Sequence, residues 1–209
     1  MIKNNTKNNQ KCKKGYKGIG MEGFIARWYA GTVEKDLERF QQDARKISKI
    51  VSEGGSVLEV APGPGYLSIE LAKLGNYKIT GMDISETFIE IAQNNAKEAK
   101  ADVEFRRGNV ADMPFEDESF DFIFCSSAFK NFSEPVKALS EMYRVLKING
   151  KALIIDLRRD ISKKSIEEYV KNMGLSKIDS LYLCSQSHFR NLGMLIKGLE
   201  PKGEMFNGY

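Results

Sequence analysis

Residues 57–67 read Val-Leu-Glu-Val-Ala-Pro-Gly-Pro-Gly-Tyr-Leu, and this stretch restricts the fold more than any other. Val57, Leu58 and Val60 have the apolar, partly β-branched character of a parallel strand buried on both faces. Glu59 interrupts them, and a carboxylate inside a buried strand needs a partner or a function. Gly63 and Gly65 permit backbone angles and a closeness of approach that a Cβ would block. From Tyr66 the apolar spacing becomes helical: Leu67, Leu71 and Leu74 share a face, and Gly75 stands where a C′ glycine belongs. A strand, a glycine turn and a helix in that order bring free backbone N–H groups to the carboxyl end of a strand. Open α/β sheets bind ligands there.

The segment Tyr77 to Ser85 reads as a second strand that ends in an acid, Asp83, 18 residues after Gly65. An acid at that place commonly accepts hydrogen bonds from ribose hydroxyls, which points to a nucleoside ligand. The dinucleotide fingerprint asks for a third glycine three residues after Gly65, where this chain has Ser68. A phosphate-cradling G-x-x-x-x-G-K-[ST] run is absent as well.

The segment from Glu59 to Gly65 resembles motif I of class I S-adenosylmethionine-dependent methyltransferases, acid-x-Gly-x-Gly-x-Gly, with Ala61 in place of the first glycine. Three further segments extend the likeness toward the group that includes the quinone-biosynthesis C-methyltransferases (methyltransferase type 11). Gly108-Asn109-Val110-Ala111-Asp112-Met113-Pro114-Phe115 matches G-D-A-x-x-L-P-F. Ser119-Phe120-Asp121 matches the S-F-D that opens the fourth strand, and Arg144 to Gly150 matches R-V-L-K-P-G-G with Ile148-Asn149 replacing Pro-Gly. The likeness covers Val57 to Leu157, about half the chain.

The resemblance implies S-adenosyl-L-methionine as cofactor and S-adenosyl-L-homocysteine as product. It implies that Glu59 acts at the methionine end, that Ala61, Pro62, Gly63 and Gly65 form the backbone cradle, and that Asp83 holds the ribose. Ile84 is expected on the adenine face. Asn109 and Val110 are expected at its edge, Asn109 accepting through its side-chain oxygen. Ser126 is expected at the strand end, and Tyr29 as an aromatic closing over the cofactor or as a core residue beside Trp28. Many relatives carry paired histidines after the fourth strand. Here Lys130 and Asn131 stand in those places, so no histidine role transfers, and no catalytic residue is assigned. Phe129, Lys130, Asn131 and Arg158 are the acceptor-side candidates, Lys130 and Arg158 also being readable as solvated charges. The N/D-P-P-Y pattern of enzymes that methylate base nitrogens is missing. Cys125 has the setting of a structural cysteine in an apolar strand. His188, the single histidine, rules out histidine-rich metal sites, and no metal is expected.

The remaining segments supply the alternation of a doubly wound sheet. Met21 to Ala30 suits a short helix, and Thr32 an N-cap for the next, in which Val33, Leu37, Phe40, Ala44, Ile47 and Val51 recur at helical spacing. Ser85 suits the N-cap of a helix that buries Phe88, Ile89, Ala92 and Ala96. Val103–Arg106 and Ser119–Ser126 read as strands three and four. Pro135 opens a helix whose buried face is expected at Val136, Leu139, Tyr143 and Leu146, and Gly150–Leu157 is the fifth strand. A helix over Ile161–Met173 and strands over Ile178–Cys184 and Leu192–Leu199 complete the reading. The expected fold is an α/β Rossmann-like, mostly parallel sheet of about seven strands with helices on both faces. Residues 19–54 would form capping helices and 55–209 the core of one domain, 19–209.

Charge divides unevenly. The net +4 rests on residues 1–18, which hold six lysines and no acid, leaving 26 basic and 28 acidic residues in the body. Such a basic segment is expected to be disordered, with nucleic-acid contact as the second reading. Three distant cysteines suit a reducing cytoplasm, and no apolar run reaches a membrane span. The function expected is methyl transfer to a small molecule by a monomer or homodimer. An RNA or protein methyltransferase and a non-catalytic cofactor-binding module are the alternatives.

Overall fold

The computed structural model describes residues 21–155 and the strands Tyr182–Gln186 and Phe189–Ile196. Five strands form a parallel sheet: β1 (Ser56–Val60), β2 (Lys78–Asp83), β3 (Val103–Arg107), β4 (Phe120–Ser126) and β5 (Leu146–Ile155). Their order is β3-β2-β1-β4-β5, so the connections leave β1 in opposite directions. Beyond β5 the sheet continues antiparallel through β7 (Phe189–Ile196) to β6 (Tyr182–Gln186) at its edge. The helices are α1 (Gly23–Val33), α2 (Leu37–Ser48), α3 (Tyr66–Ala72), α4 (Glu86–Ala99) and α5 (Pro135–Val145).

Strand residues alternate between two cores, as the pleat requires. Leu58, Val60, Ile123, Cys125, Ala152 and Ile154 pack with Ala138, Leu139, Met142 and Val145 of α5. Val57, Ile79, Phe122, Phe124, Leu153 and Ile155 pack with Ala44 and Ile47 of α2 and Leu67 and Leu71 of α3. Glu59 shares the second face, beneath the start of α3. Its register partner on β2 is Gly81, which in turn pairs with Phe105 on β3. The Phe105 ring lies over that glycine: a Cβ on Gly81 would come within 2.5 Å of it, and one on Gly65 within 2.7 Å.

Several expectations about element ends need correction. Thr32 is no N-cap: α1 runs past it to Val33, and its hydroxyl donates to the Trp28 carbonyl at 3.0 Å. The chain then passes through a 3₁₀ turn, Glu34–Asp36, before α2. Leu37 and Leu74, expected on buried faces, are 37% and 43% exposed. Helix α3 ends at Ala72, so Gly75 lies beyond any C′ position; its side is occupied by the Tyr77 ring. The buried face of α5 is Ala138, Leu139, Met142 and Val145, with Val136 and Tyr143 half-buried. Leu146 is buried as the first residue of β5, not as a helix residue. Ser85 caps α4 as expected, accepting from Phe88 N–H at 3.1 Å.

Two of the sequence motifs belong to the scaffold. Asp121 accepts from Ser56 N–H at 2.8 Å, from the Ser56 hydroxyl at 2.7 Å and from Lys147 Nζ at 2.8 Å. That knot ties the starts of β1, β4 and β5 at the end of the sheet away from the glycine turn. Arg144 donates to the carbonyls of Met113 (3.0 Å) and Phe115 (2.8 Å) and to Asp117 and Glu141, clamping the loop before β4.

Candidate functional site

The carboxyl ends of β1, β2 and β4 converge on a cleft of about 600 Å³. It lies where the order reverses about β1, the crevice in which open α/β sheets hold ligands. The turn Ala61–Pro64 forms its floor, and α1 with the start of α2 covers one side.

Glu59 is 2% exposed. Its Oε2 accepts from the Ser68 N–H at 3.1 Å and from the Ser68 hydroxyl, which anchors α3 on β1. No partner for Oε1 is found among the described residues. Burial pushes the carboxyl up to about 7, the Ser68 bonds working against that and the Asp83 charge with it. Asp83, 6% exposed, spans two turns: Oδ2 accepts from Gly63 N–H at 3.0 Å and Oδ1 from Ser85 N–H at 2.9 Å. Burial pushes it up to about 6 against those bonds.

The two glycines do different work. Gly63 has φ +56°, and a Cβ there would meet nothing within 4 Å, because its side faces the open cleft. Gly65 has φ +81°, but its side is taken by Phe105 and Ala92, so it serves the packing of α3 on α4 and does not line the cleft. Ala61 holds φ +57° and Ser127 φ +60°, a left-handed backbone that costs an L-residue roughly 1–2 kcal/mol. Both line the cleft.

The other expected residues divide as follows. Ala61, Pro62, Ile84, Asn109, Val110, Ser126 and Tyr29 line the cleft, Tyr29 edge-on to Phe88 with centroids 5.9 Å apart. The Asn109 side-chain oxygen already accepts from Ala111 N–H at 3.0 Å. Lys130 and Asn131 line the cleft, with the Lys130 ammonium on the Ser127 carbonyl. Phe129 does not: it is buried against Phe132 in the α5-side core. Trp28 is no core residue, being 64% exposed. Arg158, with Asp156, Arg159 and His188, lies outside the described residues, as do the segments 1–18 and 161–173.

Sequence reasoning missed Glu22, Arg39, Phe40 and Phe132 on the cleft wall. Glu22 carried no local signal, since its carboxylate reaches 64 residues along the chain. It accepts from Glu86 N–H (3.1 Å), Thr87 N–H (3.2 Å) and the Thr87 hydroxyl (2.8 Å), completing the cap of α4. Arg39, stacked 4.9 Å from the Phe40 ring centroid, looked like the polar face of an amphipathic helix.

Residues 58–154 match the family model described as a methyltransferase domain. That match spans a little under half of the chain. Demethylmenaquinone methyltransferase of Chlorobaculum parvum is 34% identical over 129 residues, 60% of this chain and 52% of that protein. The ubiquinone/menaquinone biosynthesis C-methyltransferase of Bdellovibrio bacteriovorus is 36% identical over 104 residues, 49% of this chain and 44% of that protein. The chain thus spans about half the length of the curated relatives it matches. Among solved structures, a protein of Methanococcus maripaludis described as an S-adenosyl-L-methionine-dependent methyltransferase shares the fold. Its TM-score is 0.73 at 20% identity, over 89% of this chain and 98% of that one.

The cofactor that a methyltransferase domain of this kind implies is S-adenosyl-L-methionine, and the cleft suits it. A buried carboxylate oxygen with no partner among the described residues suits an ammonium group. A glycine with open space on its side admits a ligand close to the backbone. A second buried carboxylate at the end of β2 retains lone pairs for hydroxyls.

Proposed function

We propose that this chain is a methyltransferase that uses S-adenosyl-L-methionine to methylate a small, apolar acceptor of quinone-like character. The observation that carries this reading is the pair of buried carboxylates, Glu59 and Asp83, flanking a glycine turn at the carboxyl ends of adjacent strands. In this reading Glu59 Oε1 receives the methionine ammonium and Asp83 the ribose hydroxyls. Ala61, Pro62 and Gly63 give the close backbone wall, Ile84 and Val110 sandwich the base, and Asn109 meets its edge. Bound there, the cofactor supplies an electrophilic methyl group on a sulfonium.

The chain's own contribution is orientation and exclusion of water, because the transition state disperses charge already present. Ser126, Lys130 and Asn131, with Phe40, Phe132 and Arg39, form the acceptor wall; the two phenylalanine rings in it and the relatives' names favour a quinone-like ring. The helices α1 and α2 act as the cap of the cofactor site within a single domain, 19–209, built on the seven-stranded sheet. Three widely separated cysteines suit a cytoplasmic setting.

Calorimetric titration with S-adenosyl-L-homocysteine, with NAD as control, tests the cofactor assignment. Binding of the first and not the second is expected; NAD binding, or no binding by a folded sample, would overturn it. Methyl transfer from labelled cofactor to a demethylated naphthoquinol, compared with RNA and protein acceptors, tests the acceptor class.

A further inference from the structure

Helix α1 is apolar on two sides. Ala26, Ala30 and Val33 are buried against the domain. Phe24, Ile25 and Trp28 point the other way and are 82%, 41% and 64% exposed. At 3.6 residues per turn these three fall within about 100° of arc, opposite the buried stripe. Holding α1 in place does not call for them: Ala26 and Ala30 pack inward, Arg27 reaches Glu90 at 3.7 Å, and Glu22 is fixed on α4. Just ahead of this face in the chain come residues 1–18, with six lysines and no acid. The same helix lines the cleft through Tyr29 and Val33.

We propose that this face of α1 docks on an anionic lipid bilayer. Phe24, Ile25 and Trp28 enter the headgroup region, and the lysines of residues 1–18 supply attraction to acidic lipids. An apolar wedge with a basic segment gives the two signals that stable surface binding requires. Trp is also the side chain best suited to the interface, with an apolar ring and one N–H for water. Among the described residues no helix is long and apolar enough to cross a membrane, so α1 would lie on the surface.

Two other occupants fit less well. Ile25 offers no π-face for a nucleotide base, and the aromatic pair sits on a helix with no basic side chain directed outward between them; Arg27 is turned to Glu90. Three side chains on one helix also provide far less than the roughly 800 Å² per partner of a stable dimer. Docking would bring the cleft mouth beside the bilayer, where an apolar acceptor resides. Only that consequence rests on the proposed function.

Trp28 is the only tryptophan of the chain, so its emission reports the contact directly. The full chain is mixed with vesicles of phosphatidylcholine alone, or of phosphatidylcholine with phosphatidylserine, and followed by emission and by flotation. With the acidic vesicles we expect a blue shift and co-flotation that weaken as salt is raised, and a smaller effect with the neutral ones. The double variant Phe24→Ser/Ile25→Ser should partition at least about tenfold less, for the apolar area lost, with an unchanged thermal midpoint. Replacing the six lysines by glutamine should remove the salt dependence. The proposal is overturned by emission that vesicles leave unchanged. It is equally overturned by a blue shift that follows protein concentration without lipid, which would mean a second copy, or by a response to an RNA oligonucleotide but not to vesicles. Binding of S-adenosyl-L-homocysteine is measured in the same samples, so failure to dock and failure to bind cofactor are separately visible.

Discussion

Asp83 joins the glycine turn to the cap of α4 with one carboxylate, so it carries both local order and the ribose contact proposed for it. Asp83→Ala should weaken S-adenosyl-L-homocysteine binding by about 1–3 kcal/mol, the range for polar groups left unpaired, read by calorimetry. Unchanged affinity would remove Asp83 from the site. Ala61 shows the reverse case, a side chain tolerated in a backbone region that disfavours it. Ala61→Gly relieves that strain but gives the unfolded chain more freedom, for a net gain of about 0.5 kcal/mol. The thermal midpoint should rise by about 1–2 °C for a chain of this size. At this scale the motif residues were legible because each needs a particular chemistry at a particular offset: an acid at a strand end, a glycine at a left-handed turn. Gly65 was not separable from Gly63 in this way, since only the position of Phe105 shows which of the two faces solvent.

Helix α4 begins with an unusual division of labour. Ser85 caps Phe88 from within, while Glu22, on the residue before α1, caps Glu86 and Thr87 from outside. Glu22→Ala should cost about 1 kcal/mol, as for other lost caps, measured by urea denaturation. Hydrogen exchange should quicken at Glu86 and Thr87 and along α1 together; quickening at the α4 amides alone would show that the latch does not hold α1. Elements with long apolar signals were readable in the sequence, the buried strands β1 and β4 above all. The α5 face was misplaced because counting large apolar residues passes over Ala138 and continues to Leu146, where the backbone has already become strand. The latch itself was invisible: two residues 64 apart acquire their relation only from the fold.

At the scale of the whole molecule, two carboxylates lie buried at its centre with no cation paired to either among the described residues. Glu59, pushed up to about 7, and Asp83, pushed up to about 6, bind protons more tightly folded than unfolded. Their contribution to stability is therefore fully present below about pH 4 and is lost as pH rises to 7, a loss on the order of 3 kcal/mol for each group at most. Thermal midpoints of the cofactor-free protein should fall across that window, and Glu59→Gln should flatten its upper half. A bound ammonium and ribose favour the ionised carboxylates, so the complex should release protons. At pH 6 the observed binding heat should then vary with the ionisation enthalpy of the buffer, and affinity should rise from pH 5.5 to 8. Heat independent of buffer would mean that neither carboxylate meets the ligand.

The Phe105 ring lying over Gly81 has a consequence for how this sequence can change through descent. A methyl group at position 81 collides with the ring while Phe105 stands, and a smaller residue at 105 leaves a void while Gly81 stands. The second step relieves part of the penalty of the first, so the two sites are coupled in what they tolerate. Gly81→Ala should be markedly destabilising alone and distinctly less so in a Phe105→Val background, a coupling that a double-mutant cycle reads directly. In a population, the route to any other pairing runs through a less stable intermediate, and the two positions should be inherited as one unit.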